Sequence, residues 1–260
     1  MKKLVLALTA VAAMTVSASA ADLAARPYSK APMMAAPIYN WTGFYIFGGG
    51  GYGLMDSDDQ TIDVATGTPD QIRMHQGGHG YFGTVGAGYD WQFGGSWVAG
   101  VFADGQFGSI KGTIYDANQE SAGSYKLRTS AAAGVRVGYL IAPTVLSYIN
   151  GGYSYADFSG STLSDINFGG PDSFTNGFHR NGWFLGGGVE NQINAFGLSP
   201  GWFMKTEYRV AEYERGSVPS YSLFTGLPLG SAVSTKPIVQ TIGTSLVYRF
   251  NWGGPIVARY

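Results

Sequence analysis

Residues Gly80–Phe93 read GYFGTVGAGYDWQF, and this stretch settles the class of the chain. Taken in alternation it places Tyr81, Val85, Ala87, Tyr89, Trp91 and Phe93 on one side. Phe82, Thr84, Gly86, Gly88, Asp90 and Gln92 fall on the other. A period of two belongs to a β-strand, so these are the two faces of a sheet, one apolar and one small and polar. Tyr89, Trp91 and Phe93 gather at one end, where a strand leaving a membrane meets water.

The same arithmetic extends along the chain. Leu127, Ala131, Ala133, Val135, Val137, Tyr139 and Ile141 share a face against Arg128, Ser130, Gly134, Arg136 and Gly138. Trp183, Leu185, Val189 and Ile193 oppose Gly186, Gly188, Glu190 and Gln192. Trp202, Met204, Tyr208 and Val210 oppose Lys205, Glu207 and Arg209. Weaker or shorter alternations at 43–53, 96–109, 145–158 and 238–250 bring the expected strands to eight. Three links are short (Gly94-Gly95, Ala142-Pro143-Thr144 and Asn194–Gly201), and they alternate with long polar links at 54–78, 110–124, 159–177 and 211–237. That rhythm puts the short turns at one end and the long loops at the other, as in outer-membrane barrels. The expected fold is an all-β, eight-stranded antiparallel up-and-down transmembrane β-barrel. A soluble lipocalin-like barrel also has eight strands, but it turns its apolar face inward, and here the inside would hold the charges.

The N-terminus agrees. Lys2 and Lys3, the apolar run Leu4–Val16 and the small residues Ser17-Ala18-Ser19-Ala20 read as a secretory signal peptide over 1–20. Residues 21–40, with Pro27, Pro32 and Pro37 among alanines, read as a Pro/Ala-rich periplasmic tail, and the barrel occupies 41–260. Charged residues are only 13% of the chain, against roughly 25% in soluble domains. No stretch after residue 20 is apolar over the roughly 20 residues that a transmembrane helix needs. Net charge is −1, so nucleic-acid binding has no electrostatic support. There is no cysteine and no disulfide framework.

Eight strands enclose a space that side chains can fill. On the inner face, Asp104, Glu190 and Glu207 are positioned to pair with Arg136, Lys205 and Arg209, with Gly86, Gly88, Gly134 and Gly188 leaving room for long neighbours. Both signs are needed there, because an unpaired ion in so confined a space is costly. We read this cluster as a structural charge network that seals the lumen, with a selectivity filter or proton path as the functional alternative.

The stretch Ala36-Pro37-Ile38-Tyr39-Asn40-Trp41-Thr42-Gly43-Phe44-Tyr45 resembles the lead into the first strand of small outer-membrane proteins of alphaproteobacteria. So do Gly182-Trp183 with Gly186-Gly187-Gly188-Val189-Glu190, the run Lys205-Thr206-Glu207-Tyr208, and the ending Val247-Tyr248-Arg249-Phe250-Asn251-Trp252-Gly253-Gly254-Pro255. These are opacity-type, porin-like immunogenic outer-membrane proteins, and the resemblance covers essentially residues 1–260. It implies a surface antigen of the outer membrane that supports envelope integrity; some relatives are called porins and one branch is linked to haemin binding. Phe102 stands at an inward position where the resemblance implies an acidic residue, which bears on how polar the lumen is.

Other chemistry finds little support. Gly48–Gly53 lacks the Gly-Lys-Ser/Thr of a phosphate loop. His75 and His79 are four apart, but Gly77, Gly78 and Gly80 break any helix; in a flexible loop the two imidazoles remain candidates for contact with haem or a metal. Asp56, Asp58, Asp59, Asp63 and Asp70, with Arg73, make the first long loop acidic, which either keeps it soluble through solvated carboxylates or lets it bind divalent cations near lipopolysaccharide. No catalytic constellation, cofactor or resident metal is expected. The expected partners are outer-membrane lipid and lipopolysaccharide, with the barrel-insertion machinery during assembly. Either Phe250 or Tyr260 serves that machinery as the terminal aromatic. Three functions stay open: a surface barrel with a filled lumen, a passive porin for small solutes, and a loop-mediated binder of haemin or a host or surface factor.

Overall fold

The computed structural model describes residues 39–193 and 201–250. The signal peptide, the tail up to residue 38, residues 194–200 of the link before Trp202 and the closing stretch that holds Tyr260 lie outside the described residues.

Among the described residues eleven strands follow one another: β1 (Gly43–Asp63), β2 (Pro69–Phe93), β3 (Trp97–Asp116), β4 (Ser121–Ala142), β5 (Val145–Phe158), β6 (Ser161–Asp165), β7 (Pro171–Thr175), β8 (Phe178–Gln192), β9 (Trp202–Tyr213), β10 (Gly216–Ser222) and β11 (Pro228–Phe250). Eight of them form an antiparallel ring in the order β1-β2-β3-β4-β5-β8-β9-β11, and β11 returns to β1. That seam runs unbroken from Phe44 opposite Phe250 to Asp63 opposite Ser231. Closure leaves no edge strand in the wall, which is what a bilayer demands of backbone polar groups. The tight turn between β2 and β3 uses Gly94 and Gly95 at φ 56° and 78°, the left-handed region that glycine enters without strain.

The eight alternations lie where the sequence puts them, but the wall continues far beyond. The expected loop 54–78 is mostly the outer reaches of β1 and β2, which meet at a turn over 64–68. Likewise β3 and β4 absorb most of 110–124, and the two remaining loops carry β6, β7 and β10. At this outer end β6 pairs with β4, β7 with β6, and β10 with both β7 and β11, so they take over the wall from β5, β8 and β9. β1 has 21 residues, roughly 50 Å of height at ordinary rise and tilt, about twice the apolar band of an outer-membrane barrel.

Two belts mark the membrane on the outside. The lower one, beside the short turns, contains Phe44 on Phe250 at 5.7 Å, Trp202 on Tyr248 at 5.0 Å, Tyr89 on Trp91 at 4.8 Å and Trp97 on Tyr139 at 5.2 Å. The upper one includes Tyr52 on Tyr81 at 5.1 Å and exposed Tyr153, Tyr155 and Trp183. Between them Ile46, Val85, Val101, Val135, Val137, Ile149 and Leu185 all face out. Such a contiguous apolar surface has no partner in water and matches a bilayer.

One expectation is reversed. Leu127 was placed outward and Arg128 inward, yet Leu127 is 4% exposed and Arg128 lies outside on Asp157 at 2.8 Å. The ladder shifts register between Leu127 and Thr129 on one side, and between Phe107 and Ile110 on the other. A bulge adds a residue and so exchanges the faces of everything beyond it.

Candidate functional site

The lumen is built from alternate residues of every ring strand, and its floor comes from the segment just before β1. Trp41 donates its amide to Gln92 Oε1 at 2.9 Å and its indole N–H to the Pro143 carbonyl at 3.2 Å. Its ring is buried and packs on Phe203 at 5.0 Å, with Tyr39 on the same Phe203 at 4.9 Å. Tyr39 and Asn40, read from sequence as the end of the tail, therefore belong to this mouth; the rest of the tail lies outside the described residues.

Above the floor sits a first layer of charge. Arg136 of β4 binds Asp90 of β2 through Nε at 2.9 Å and again through Nη2, and reaches Glu190 of β8 at 3.0 Å. Arg249 of β11 binds the same two acids, at 2.8 Å and 2.7 Å. All four side chains are at most 3% exposed. A second layer follows, where Arg209 clasps Asp104 by two parallel bonds of 3.0 and 2.8 Å and turns to Glu207 at 2.9 Å. Glu207 also accepts from Tyr148 at 2.8 Å and Asn150 at 2.9 Å, with the Lys205 ammonium 3.7 Å away. Fork-shaped guanidinium pairing of this kind is the strong form of ion pair.

All six residues that strand parity selected, Asp104, Arg136, Glu190, Lys205, Glu207 and Arg209, stand in these two layers, and Glu190, Asp104 and Glu207 meet Arg136, Arg209 and Lys205 respectively. Two members were missed. Strand parity puts Asp90 on the inward face without marking it as part of the network, and Arg249, next to the closing Phe250, carries no sequence signal for either. With them the two layers hold four carboxylates and four cations, a net charge of zero.

Aromatic rings lie against the cations of both layers. Arg136 lies over Tyr45 at 4.4 Å, Arg249 over Trp41 at 4.4 Å, Arg209 over Phe184 at 4.4 Å and Lys205 over Phe47 at 3.5 Å. Phe102, standing where an acid was implied, packs edge-on against Phe184 at 5.9 Å and borders Arg209. An aromatic face there takes over part of the carboxylate's role by attracting the guanidinium. The lumen glycines make this possible: a Cβ on Gly134 would lie 2.9 Å from the Phe184 ring, and one on Gly188 2.8 Å from the Tyr148 hydroxyl. A cavity bordered by Lys205, Glu207 and Arg209 has a volume of about 20 Å³, close to the room one water molecule needs.

The outer chamber, above the upper belt, divides the acidic residues of the first expected loop. Asp58 faces out and pairs with Arg215 at 2.6 Å; Asp63 caps a turn, accepting from the Thr66 amide and hydroxyl at 2.9 and 3.0 Å. Asp56 lies on the outward face with Asp58, and the Asp70 carbonyl accepts from Gln60 at 2.7 Å. Asp59 instead points inward at 1% exposure, beside Thr235 and Ser57. Higher up, buried Asp116 accepts from the Ser220 and Ser231 hydroxyls at 2.6 and 2.7 Å. The five aspartates thus do not converge on a cation.

Burial holds the Asp59 carboxyl up at about 6, and the neighbouring Thr235 and Ser57 hydroxyls offset this only in part. The folded state therefore prefers the protonated form, and its stability is full in acid and falls as pH rises through 6. Asp59→Asn, neutral throughout, is expected to gain up to about 3 kcal/mol at pH 7.5 and nothing below about pH 4. Urea titrations at the two pH values check this, and a variant no more stable at pH 7.5 refutes it.

His75 and His79 do not lie in a flexible loop. Both are exposed on the outer wall of β2, four residues apart along an extended strand, which separates them by roughly 13 Å. Two imidazoles so far apart cannot ligate one metal together.

With this geometry in hand, the chain's relationships are informative. The family model described as the autotransporter beta-domain matches residues 24–209. The 31 kDa outer-membrane immunogenic proteins of Brucella melitensis biotype 1 and Brucella suis biovar 1 are each 27% identical over 270 residues, covering 96% of this chain and 100% of the relative. Among solved structures, the outer membrane protein OprG from Pseudomonas aeruginosa is 13% identical, with 81% of this chain and 98% of that one covered at a TM-score of 0.49. The protein is a β-barrel of the outer membrane, similar to the immunogenic proteins that the sequence motifs resemble, and it belongs to the autotransporter beta-domain family.

Proposed function

We propose that this chain is a structural surface barrel, closed to solutes, that supports the integrity of the outer membrane and performs no catalysis. The observation that carries the reading is the lumen: two charge layers of zero net charge, locked by forked ion pairs and interleaved with aromatic rings. A conducting pore needs sites an ion can enter and leave, and a pore for one sign of ion needs a field. Neither fits side chains held this tightly. Like its Brucella relatives, named as immunogenic, the chain would present its outer chamber at the cell surface as an antigen, after export by the signal peptide over 1–20.

Purified protein in a planar bilayer is expected to give no steady ohmic steps. Steady steps would instead establish the small-solute porin.

A second reading draws on the outermost turns. Phe168 and Phe224 are 92% and 82% exposed at the tips between β6 and β7 and between β10 and β11. Strands β7 and β10 are direct neighbours, so the two tips stand side by side. A binder of a surface factor would use them, and Phe168→Ser with Phe224→Ser would then abolish cell adhesion while leaving the barrel folded.

A further inference from the structure

The outward face of the wall holds one local conflict. Lys111 of β3 and Lys126 of β4 are direct cross-strand partners, and both are exposed. Like charges in that position repel and destabilise the pair. Three other cations of the wall have their acids: Arg128 has Asp157 at 2.8 Å, Arg215 has Asp58 at 2.6 Å and Lys236 has Glu212 at 2.6 Å, whereas among the described residues Arg73 on β2 stands by itself, away from any like charge across the strand. Among the described residues, neither Lys111 nor Lys126 forms an ion pair with a carboxylate.

The place of the pair says what would relieve it. On the adjoining strand β2, a Cβ added at Gly78 would meet the Lys111 carbonyl, so the two backbones run close there, and His79, the next residue of β2, is exposed like Lys111. His79 stacks on Tyr52 at 5.7 Å, and Tyr52 is the cross-strand partner of Tyr81, the next outward residue down β2. Tyr81 is 76% exposed and Phe107, further down β3, 52%. Thus a short row of nitrogen donors, His79, Lys111 and Lys126, runs across three strands immediately above the upper aromatic belt. Apolar wall lies directly beneath it.

We propose that this row binds the phosphate of an outer-leaflet amphiphile, whose acyl chains lie down the wall past Tyr81 and Phe107. An anion between the two ammoniums turns their repulsion into two charge-assisted hydrogen bonds. The belt below selects an anion that carries a hydrocarbon tail over a free one. The site does not depend on whether the lumen conducts, so it stands or falls separately from the closed-barrel reading.

The test uses the full chain folded in dodecyl maltoside micelles. The micelles are doped with dioleoyl phosphatidic acid, or with dioleoylglycerol as the phosphate-free control, or left undoped in buffer with inorganic phosphate. The readout is the temperature at which the compact band of unheated protein is lost on a gel. Phosphatidic acid is expected to raise that temperature by several degrees, and the two controls to leave it unchanged. In Lys126→Glu, which sets opposite charges across the strands, the undoped protein should melt no lower than the parent while the rise disappears. In Lys126→Ala the phosphatidic acid needed for half the effect should increase about tenfold. An equal rise in the parent and both variants overturns the site, as does an equal rise from dioleoylglycerol. A rise from inorganic phosphate alone overturns the amphiphile as its ligand.

Discussion

Arg136→Met is expected to cost the barrel about 3–5 kcal/mol of unfolding free energy, the range found when one partner of a buried ion pair is removed. Arg136 is 3% exposed and is held by both carboxylates of its layer, Asp90 and Glu190. Methionine fills much of the same space and keeps contact with the Tyr45 ring, so the expected loss comes from charge rather than from a hole. What remains is Arg249 facing two buried carboxylates, one of them in excess. Adding Asp90→Ala removes that excess and leaves Arg249 with Glu190 at 2.7 Å. The double variant should therefore recover most of what the single one lost, a coupling that independent sites do not show. Urea titrations of both proteins in the same micelle, followed by tryptophan fluorescence, measure it. A single variant within about 1 kcal/mol of the parent, with no recovery in the double, would mean the layer is not an energetic unit.

The second large effect lies on the other face of the same strand. Val135 is 58% exposed and stands midway between the lower belt at Tyr139 and the upper reaches of β4. Val135→Arg is expected to cost about 2–4 kcal/mol in liposomes, the penalty for an arginine near mid-membrane on a lipid-facing wall. Asp56→Arg is the matched control. Asp56 has the same outward orientation on β1 but lies above the upper belt, where such a charge costs about 0–1 kcal/mol. Equal costs at the two positions would remove lipid as the solvent of this face.

These two positions also show why some of the structure was legible in sequence and some was not. Around Val135 the outward residue must be apolar and the inward one small or polar, so a bilayer writes a strict period of two into β2, β4, β8 and β9. Above the belt both faces meet polar surroundings. In β1 the outward Asp56 and Asp58 alternate with the inward Ser57, Asp59 and Thr61, and no contrast in polarity separates them. A strand with two polar faces reads as a loop, and the outer halves of β1 to β4 are of this kind. The exchange of Leu127 and Arg128 was hidden for a different reason. A bulge leaves no mark in composition, because its extra residue is recognised only from the partner strand.

The charge network was legible as far as parity reached. Asp104, Arg136, Glu190, Lys205, Glu207 and Arg209 share inward positions on β3, β4, β8 and β9, and each sign calls for the other in a narrow lumen. Asp90 and Arg249 were obscured by their neighbours. Each is flanked by belt aromatics, Tyr89 and Trp91 in one case and Tyr248 and Phe250 in the other, so both resemble residues at a water interface. Only the ring closure of β1 on β11 shows Arg249 turning inward to meet Glu190. Phe102 was anticipated as a departure, but not that its ring would come to border Arg209.

The central claim, a closed barrel that resides in a membrane, is tested most directly by gel mobility in dodecyl sulfate with and without boiling. Eight strands joined into a ring by β1 and β11 resist the detergent until heated, so unboiled protein is predicted to run faster than boiled protein. Identical mobility in the two lanes, from protein that is soluble in plain buffer, would contradict the account.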